Sequence, residues 1–109
     1  MTINFGLLRQ HNLIRQAEWD PTDAITLEFR GNELAGEVGE LCNVIKKLAR
    51  ERLGLRGSRA TKEMLAEELA DVIICADLIG MVADIDLGEA VRTKFNATSE
   101  KYGLRTRIE

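Results

Sequence analysis

The sequence predicts an all-α fold: a four-helix antiparallel bundle assembled as a homo-oligomer. Three observations carry this. Apolar residues recur with a 3.6-residue period over four segments. The 109 residues include a single proline and few β-branched runs. The stretches between segments are short, which makes successive helices antiparallel neighbours. The length fits one domain over residues 1–109.

The first helix is expected over about residues 3 to 18. "WDP" ends it, because the residue before a proline avoids helical angles. Pro21 suits the start of the next helical turn. The second helix runs to about Leu53; Gly31 and Asn32 leave its start open between a kink and a separate short turn. "GLRGSRA" at 54 to 60 is a loop. The third helix runs from near Thr61 to about Asp84. Between Val72 and Val82 it is apolar almost all round, so it must be covered on more than one side. A four-helix monomer of this length has too little chain to do that, which is the reason to expect a homo-oligomer. Asp86 and Glu89 have the spacing of a capping box and open the fourth helix. Leu87, Val91, Phe95 and Tyr102 share one of its sides, and Gly103 fits its C-terminal end. The tail, about 104–109, reads as slightly basic and loose.

Composition narrows the function. The chain is 45% hydrophobic and 30% charged, as globular domains are, with a net charge of −3. That charge argues against a general nucleic-acid binder, which needs a basic surface. No basic segment followed by an apolar block marks a signal peptide. The longest apolar run, "VIICADLIGMVA", contains Asp77 and is too short to span a bilayer. A cytoplasmic protein without a membrane partner is expected. Cys42 and Cys75 both fall in helical patterns and read as reduced core residues.

The informative stretch is "NELAGEVGELCNVIKKL", residues 32 to 48. On a helical projection Leu34, Val38, Leu41, Ile45 and Leu48 lie within about 40° of one line, the core stripe. Glu33, Glu37 and Glu40 lie about 60° to 120° to one side, at the edge of the buried face. Gly36 and Gly39 sit between them; without side chains they let a neighbouring backbone or ligand come close. A second acidic pair, Glu68 and Asp71, shares one side of the third helix, whose core stripe is Leu65, Leu69, Val72, Ile73 and Ala76. Folding at the 54–60 loop brings the pairs together, but leaves a stagger of roughly 7 Å unless the loop runs back along helix two. Facing carboxylates repel; either their pKa values rise or they hold cations. Oxygen-only ligands suit Mg²⁺, with Mn²⁺ as a second choice.

"NELAGEVGELCNVIKK" followed by "LAEELADVIICADL" resembles the MazG-like branch of the all-α nucleoside triphosphate pyrophosphohydrolases, relatives of dimeric dUTPase and dCTP pyrophosphatase. The family signature, E-x-x-E, a spacer, then E-x-x-D, maps onto Glu37, Glu40, Glu68 and Asp71. Gly36 stands where the family often has an acid. "VRTKFNATSEKYG" is similar to the family's C-terminal segment. The resemblance implies Mg²⁺ held by the four acids, and hydrolysis of a nucleoside triphosphate between the α and β phosphates. It implies Glu40 or Glu37 as the group that polarises the water. Lys94, Asn96 and Lys101 are the candidates for phosphate contacts, and Trp19 for stacking on the base. His11, on a helix side with Leu7 and Ile14, is a further candidate for nucleotide contact. Asp77 reads as structural or as part of a subunit interface. Arg56, Arg59 and Lys62 have two readings, a loop that closes over phosphates and a solvated loop, of which the second is preferred.

Three other readings compete. A di-iron carboxylate bundle needs Glu-x-x-His on two helices, and His11, the single histidine, has Leu8 three positions earlier. A catalytically silent MazG-like nucleotide-binding module would keep the acids without turnover. In a plain helical interaction protein the acids would be solvated.

Overall fold

The computed structural model describes residues 2–109. Four helices form in the order α1 (Phe5–Trp19), α2 (Leu27–Arg52), α3 (Lys62–Val82) and α4 (Leu87–Lys101), and the described residues contain no strand. The all-α expectation holds, and each start has a side-chain cap. Asn4 accepts from Leu7 N at 2.8 Å, Thr26 from Phe29 N at 3.2 Å, Thr61 from Met64 N at 3.2 Å and Asp86 from Glu89 N at 3.1 Å. Such caps satisfy amide donors that the first turn leaves free. The capping box at Asp86 is formed on one side only, since the Glu89 carboxylate turns to Arg92.

The ends differ from expectation in one place. Pro21 does not open α2; it lies in a turn, and α2 begins at Leu27. The cause is Asp20, whose carboxylate accepts Ala24 N at 3.0 Å and Ile25 N at 2.8 Å. These bonds hold the carboxyl below its ordinary pKa and shape the connection as a non-helical loop. Gly31 and Asn32 mark no separate turn, because α2 runs unbroken through both. Helices α2, α3 and α4 then close alike. Leu55 N bonds Arg50 O at 2.9 Å, Ile85 N bonds Gly80 O at 2.8 Å, and Leu104 N bonds Ser99 O at 2.8 Å. Gly54, Asp84 and Gly103 supply the positive φ this closure requires.

Helices α2 and α3 form an antiparallel hairpin, the largest contact in the chain, and α1 packs on α3. Helix α4 packs chiefly on α1. The four helices therefore do not close round one shared core within a single chain. The radius of gyration is 17.1 Å, against about 13 Å for a compact domain of this length. The buried apolar set is small: Val44, Ala60, Cys75 and Leu78. Val38 and Ile45 of the expected α2 stripe are 40% and 49% exposed, and Leu69 and Ile73 of the α3 stripe are exposed too. In one chain α2 has a neighbour on one side, so half the stripe has nothing to bury against. Cys42, expected in the core, is exposed, whereas Cys75 is buried; both thiols are free.

What fixes α1 on α3 is polar. Asp77 is fully buried and receives Arg9 Nε at 3.2 Å on both oxygens and Asn12 Nδ2 at 2.9 Å. Arg9 also donates to Ile85 O at 2.8 Å, tying the start of α4 to the pair. Gly80 makes this possible: a Cβ there would stand 2.6 Å from Arg9 Nη2. Of the two roles expected for Asp77, structural or at a subunit interface, these bonds within the chain are those of a structural residue. The tail is not loose. Asn96 bonds Ile108 in both directions, at 2.9 and 2.8 Å, and Arg92 reaches Glu109 O at 3.3 Å. Residues 104–109 thus lie back along α4. No helix among the described residues is long and apolar enough to cross a membrane.

Candidate metal centre

The acids meet because of hairpin register. Arg50, in the last turn of α2, donates to Ser58 O at 2.9 Å, and its guanidinium lies over Gly57, where a Cβ would meet it at 2.7 Å. Gly57 has φ +127°, which an L side chain would resist. The connection therefore folds back along the end of α2, and the stagger disappears. Position 33 faces 75, where Cys75 Sγ lies 3.8 Å from Glu33 Oε1, and position 40 faces 68.

One carboxylate oxygen from each of Glu37, Glu40 and Glu68 comes within 4.8 Å of the other two. Glu37 and Glu68 are half-buried and Glu40 is exposed. Glu37 Oε2 and Glu68 Oε2 are buried with no hydrogen-bond partner. A buried, unpartnered carboxylate oxygen is costly. Burial pushes both carboxyls above their ordinary pKa, and the charges of Glu40 and Asp71 push the same way. Asp71 is exposed and stands outside the three-oxygen group, although its charge acts on Glu37 and Glu68. Of the four acids named from sequence, three converge and the fourth flanks them. Gly36 and Gly39 leave open space: nothing of this chain lies within 4 Å of a Cβ placed on either.

Reasoning from the sequence missed a buried arginine beside this centre. Arg30 is 2% exposed and donates to Glu33 at 2.9 Å and to Gln16 of α1, while its Nε has no partner. Glu33 in turn faces Cys75, whose thiol is pushed up to about 11 by burial and by the carboxylates of Glu33 and Glu37. The signal was present. Arg30, Glu33 and Glu37 recur at helical spacing on one side of α2, but an arginine before three acids reads as a surface ion pair.

The other candidates lie on α1 and α4, not on the two helices that carry the acids. Trp19 is 73% exposed at the end of α1. His11 Nδ1 lies 2.9 Å from Leu7 O on its own helix. Lys94 and Lys101 are exposed on α4, the latter over the Tyr102 ring at 5.4 Å, and the Asn96 amide is occupied by the tail. Because α4 packs on α1 rather than α2, the structure does not gather Lys94, Asn96 and Lys101 round the three carboxylates of the same chain.

Comparison with known proteins fits this arrangement. A search of curated proteins finds no match to the chain. The family model described as the MazG nucleotide pyrophosphohydrolase domain matches residues 26–107, from the cap of α2 to the tail. That span takes in both acidic helices and α4, and the chain belongs to the MazG nucleotide pyrophosphohydrolase domain family.

Proposed function

We propose that the protein is a Mg²⁺-dependent nucleoside triphosphate pyrophosphohydrolase that cleaves between the α and β phosphates. The products are a nucleoside monophosphate and pyrophosphate. The observation that carries this is a pair of orphaned, buried oxygens on Glu37 and Glu68, on different helices, in a group of three carboxylates, Glu40 the third, that each bring one oxygen within 4.8 Å of the other two. The residues fit a hard divalent cation, for the donors are all oxygens and the unpaired buried charge has no other partner. Glu37, Glu40 and Glu68 would hold it, with Asp71 as a flanking acid. Such an ion, when bound, offsets carboxylate charge, attracts a phosphate chain and acidifies a bound water.

The chain's own groups do the rest. Glu40, the exposed member of the three, is placed to accept a proton from water approaching from solvent, with Glu37 as the alternative. Phosphoryl transfer depends on positioning and charge neutralisation more than on covalent help. Lys94, Asn96 and Lys101 would contact phosphates, and Trp19 and His11 the nucleoside. Lys94, Asn96 and Lys101 sit on α4, which packs on α1 rather than α2, so their assignment goes with a homo-oligomer in which α4 of one copy reaches α2 and α3 of another. The bare stripes of Val38, Ile45, Leu69 and Ile73 support such a partner.

The test is pyrophosphate release from each ribo- and deoxyribonucleoside triphosphate with Mg²⁺. Release is expected from at least one, and Glu40→Gln or Asp71→Asn should abolish it with helicity intact. Binding without turnover would instead favour a silent nucleotide-binding module.

A further inference from the structure

The end of the α2–α3 hairpin carries a concentration of positive charge that the metal chemistry does not use. Residues 46–62 hold seven cations, Lys46, Lys47, Arg50, Arg52, Arg56, Arg59 and Lys62, against one acid, Glu51, in a chain of net charge −3. Among the described residues none of the seven forms a salt bridge. Unpaired like charges crowded at one end cost folding energy through repulsion. The loop is nonetheless held, since Arg50 spends its guanidinium on Ser58 O and leans on Gly57. That fixes the segment carrying Arg56 and Arg59 against the end of α2.

Helical register relates this end to the acids. Lys47 lies seven residues after Glu40, two turns on and about 20° round, hence on the same side of α2 and about 10 Å along the axis. Lys47 is half-buried, and the hairpin register that sets position 40 opposite 68 sets it opposite Thr61. Thr61 and Lys62 stand at the amide end of α3. This side of the hairpin therefore runs from three carboxylates to an unbalanced cluster of cations. At the opposite end Arg30 is already engaged by Glu33 and Gln16. Along the hairpin, an anion longer than one phosphate anchored at the acids meets unpaired positive charge toward the loop and not toward Arg30.

We infer that the basic hairpin end, with Lys47, Arg56 and Arg59 as its main contacts, binds the terminal phosphates of the substrate, the part that leaves as pyrophosphate. The inference rests on the pyrophosphohydrolase reading for its substrate. It adds a direction: phosphates toward the loop, nucleoside toward α1. The chemistry recognised is a run of phosphates, and a nucleoside monophosphate lacks the part in question. Charge close to the leaving group also stabilises it as it departs.

The experiment is calorimetric titration of the full chain in the presence of Mg²⁺, with inorganic tripolyphosphate, a nucleoside monophosphate or a single-stranded oligonucleotide as probe. The wild type is compared with the combined Lys47→Ala, Arg56→Ala, Arg59→Ala variant and with the single substitutions, and circular dichroism checks that helicity is kept. The expected result is tripolyphosphate affinity lowered about tenfold or more, with monophosphate and Mg²⁺ affinity unchanged. In turnover the same variant should raise KM for the triphosphate more than it lowers kcat. Equal tripolyphosphate affinity in variant and wild type would overturn the inference, as would no tripolyphosphate binding by the wild type. So would an oligonucleotide that binds more tightly than tripolyphosphate and is lost on the same substitutions. Failure of the enzymatic reading looks different: no pyrophosphate release from any nucleotide while tripolyphosphate still binds the basic end.

Discussion

At Glu37 and Glu68 the fold accepts a local cost. Burial and neighbouring charge raise both carboxyls, so the folded, metal-free protein favours their protonated form more than the unfolded chain does. By linkage, that contribution is full below the ordinary glutamate pKa and is lost as pH rises through the raised values. Metal-free stability should therefore fall as pH climbs above the usual carboxylate range, and Mg²⁺ should flatten the slope. Thermal melts at several pH values with EDTA or Mg²⁺ measure this, and Glu68→Gln should remove much of the EDTA slope. Asp77 presents the opposite case. It is fully buried but completely partnered, and its loss would leave Arg9 without a counter-charge. Asp77→Ala should cost about 3–5 kcal/mol in urea denaturation, whereas an exposed acid such as Glu63 should cost little when replaced.

Gly36 and Gly39 are where helix propensity and function pull apart. Both stand inside the 26-residue α2, and a Cβ on either meets nothing of this chain within 4 Å. Alanine should therefore stabilise the helix, by about 1 kcal/mol at each site. If the space over α2 is for substrate or a second copy, the same substitutions should lower turnover or assembly, so that Tm rises while activity falls. A rise in both would show that the glycines leave room for nothing. The elements themselves were largely legible, because caps such as Thr61 and Asp86 and the 3.6-residue period are local. The start of α2 was not: it depends on Asp20 reaching two amides across the Pro21 turn, a choice of side-chain partner that composition does not reveal. The tail was misread as loose because its hold is two bonds to Asn96, twelve residues earlier. The acidic pairs were legible by spacing. Their convergence was not, since it depends on Arg50 drawing the loop back.

For the molecule as a whole, the single chain is open. Its radius of gyration and its exposed apolar side chains, Phe29, Val38, Ile45, Leu69, Ile73 and Phe95 among them, exceed what a compact monomer leaves bare. Assembly of like copies is the simplest cover. The mass in solution should be a multiple of 12.2 kDa by sedimentation or light scattering. Ile73→Glu, on a bare α3 stripe, should shift it toward the monomer and lower activity in proportion. A monomeric wild type with full activity would remove the oligomer from the account. The same openness explains why a sequence-based core list overshoots: periodicity marks which side chains seek cover, but not whether the cover belongs to the same chain.

Titration of the metal-free protein with Mg²⁺ in a calorimeter tests the carboxylate centre most directly. The account predicts saturable binding by the wild type, lost in Glu37→Gln and in Glu68→Gln while the helical signal is unchanged. Identical binding by all three proteins would contradict it.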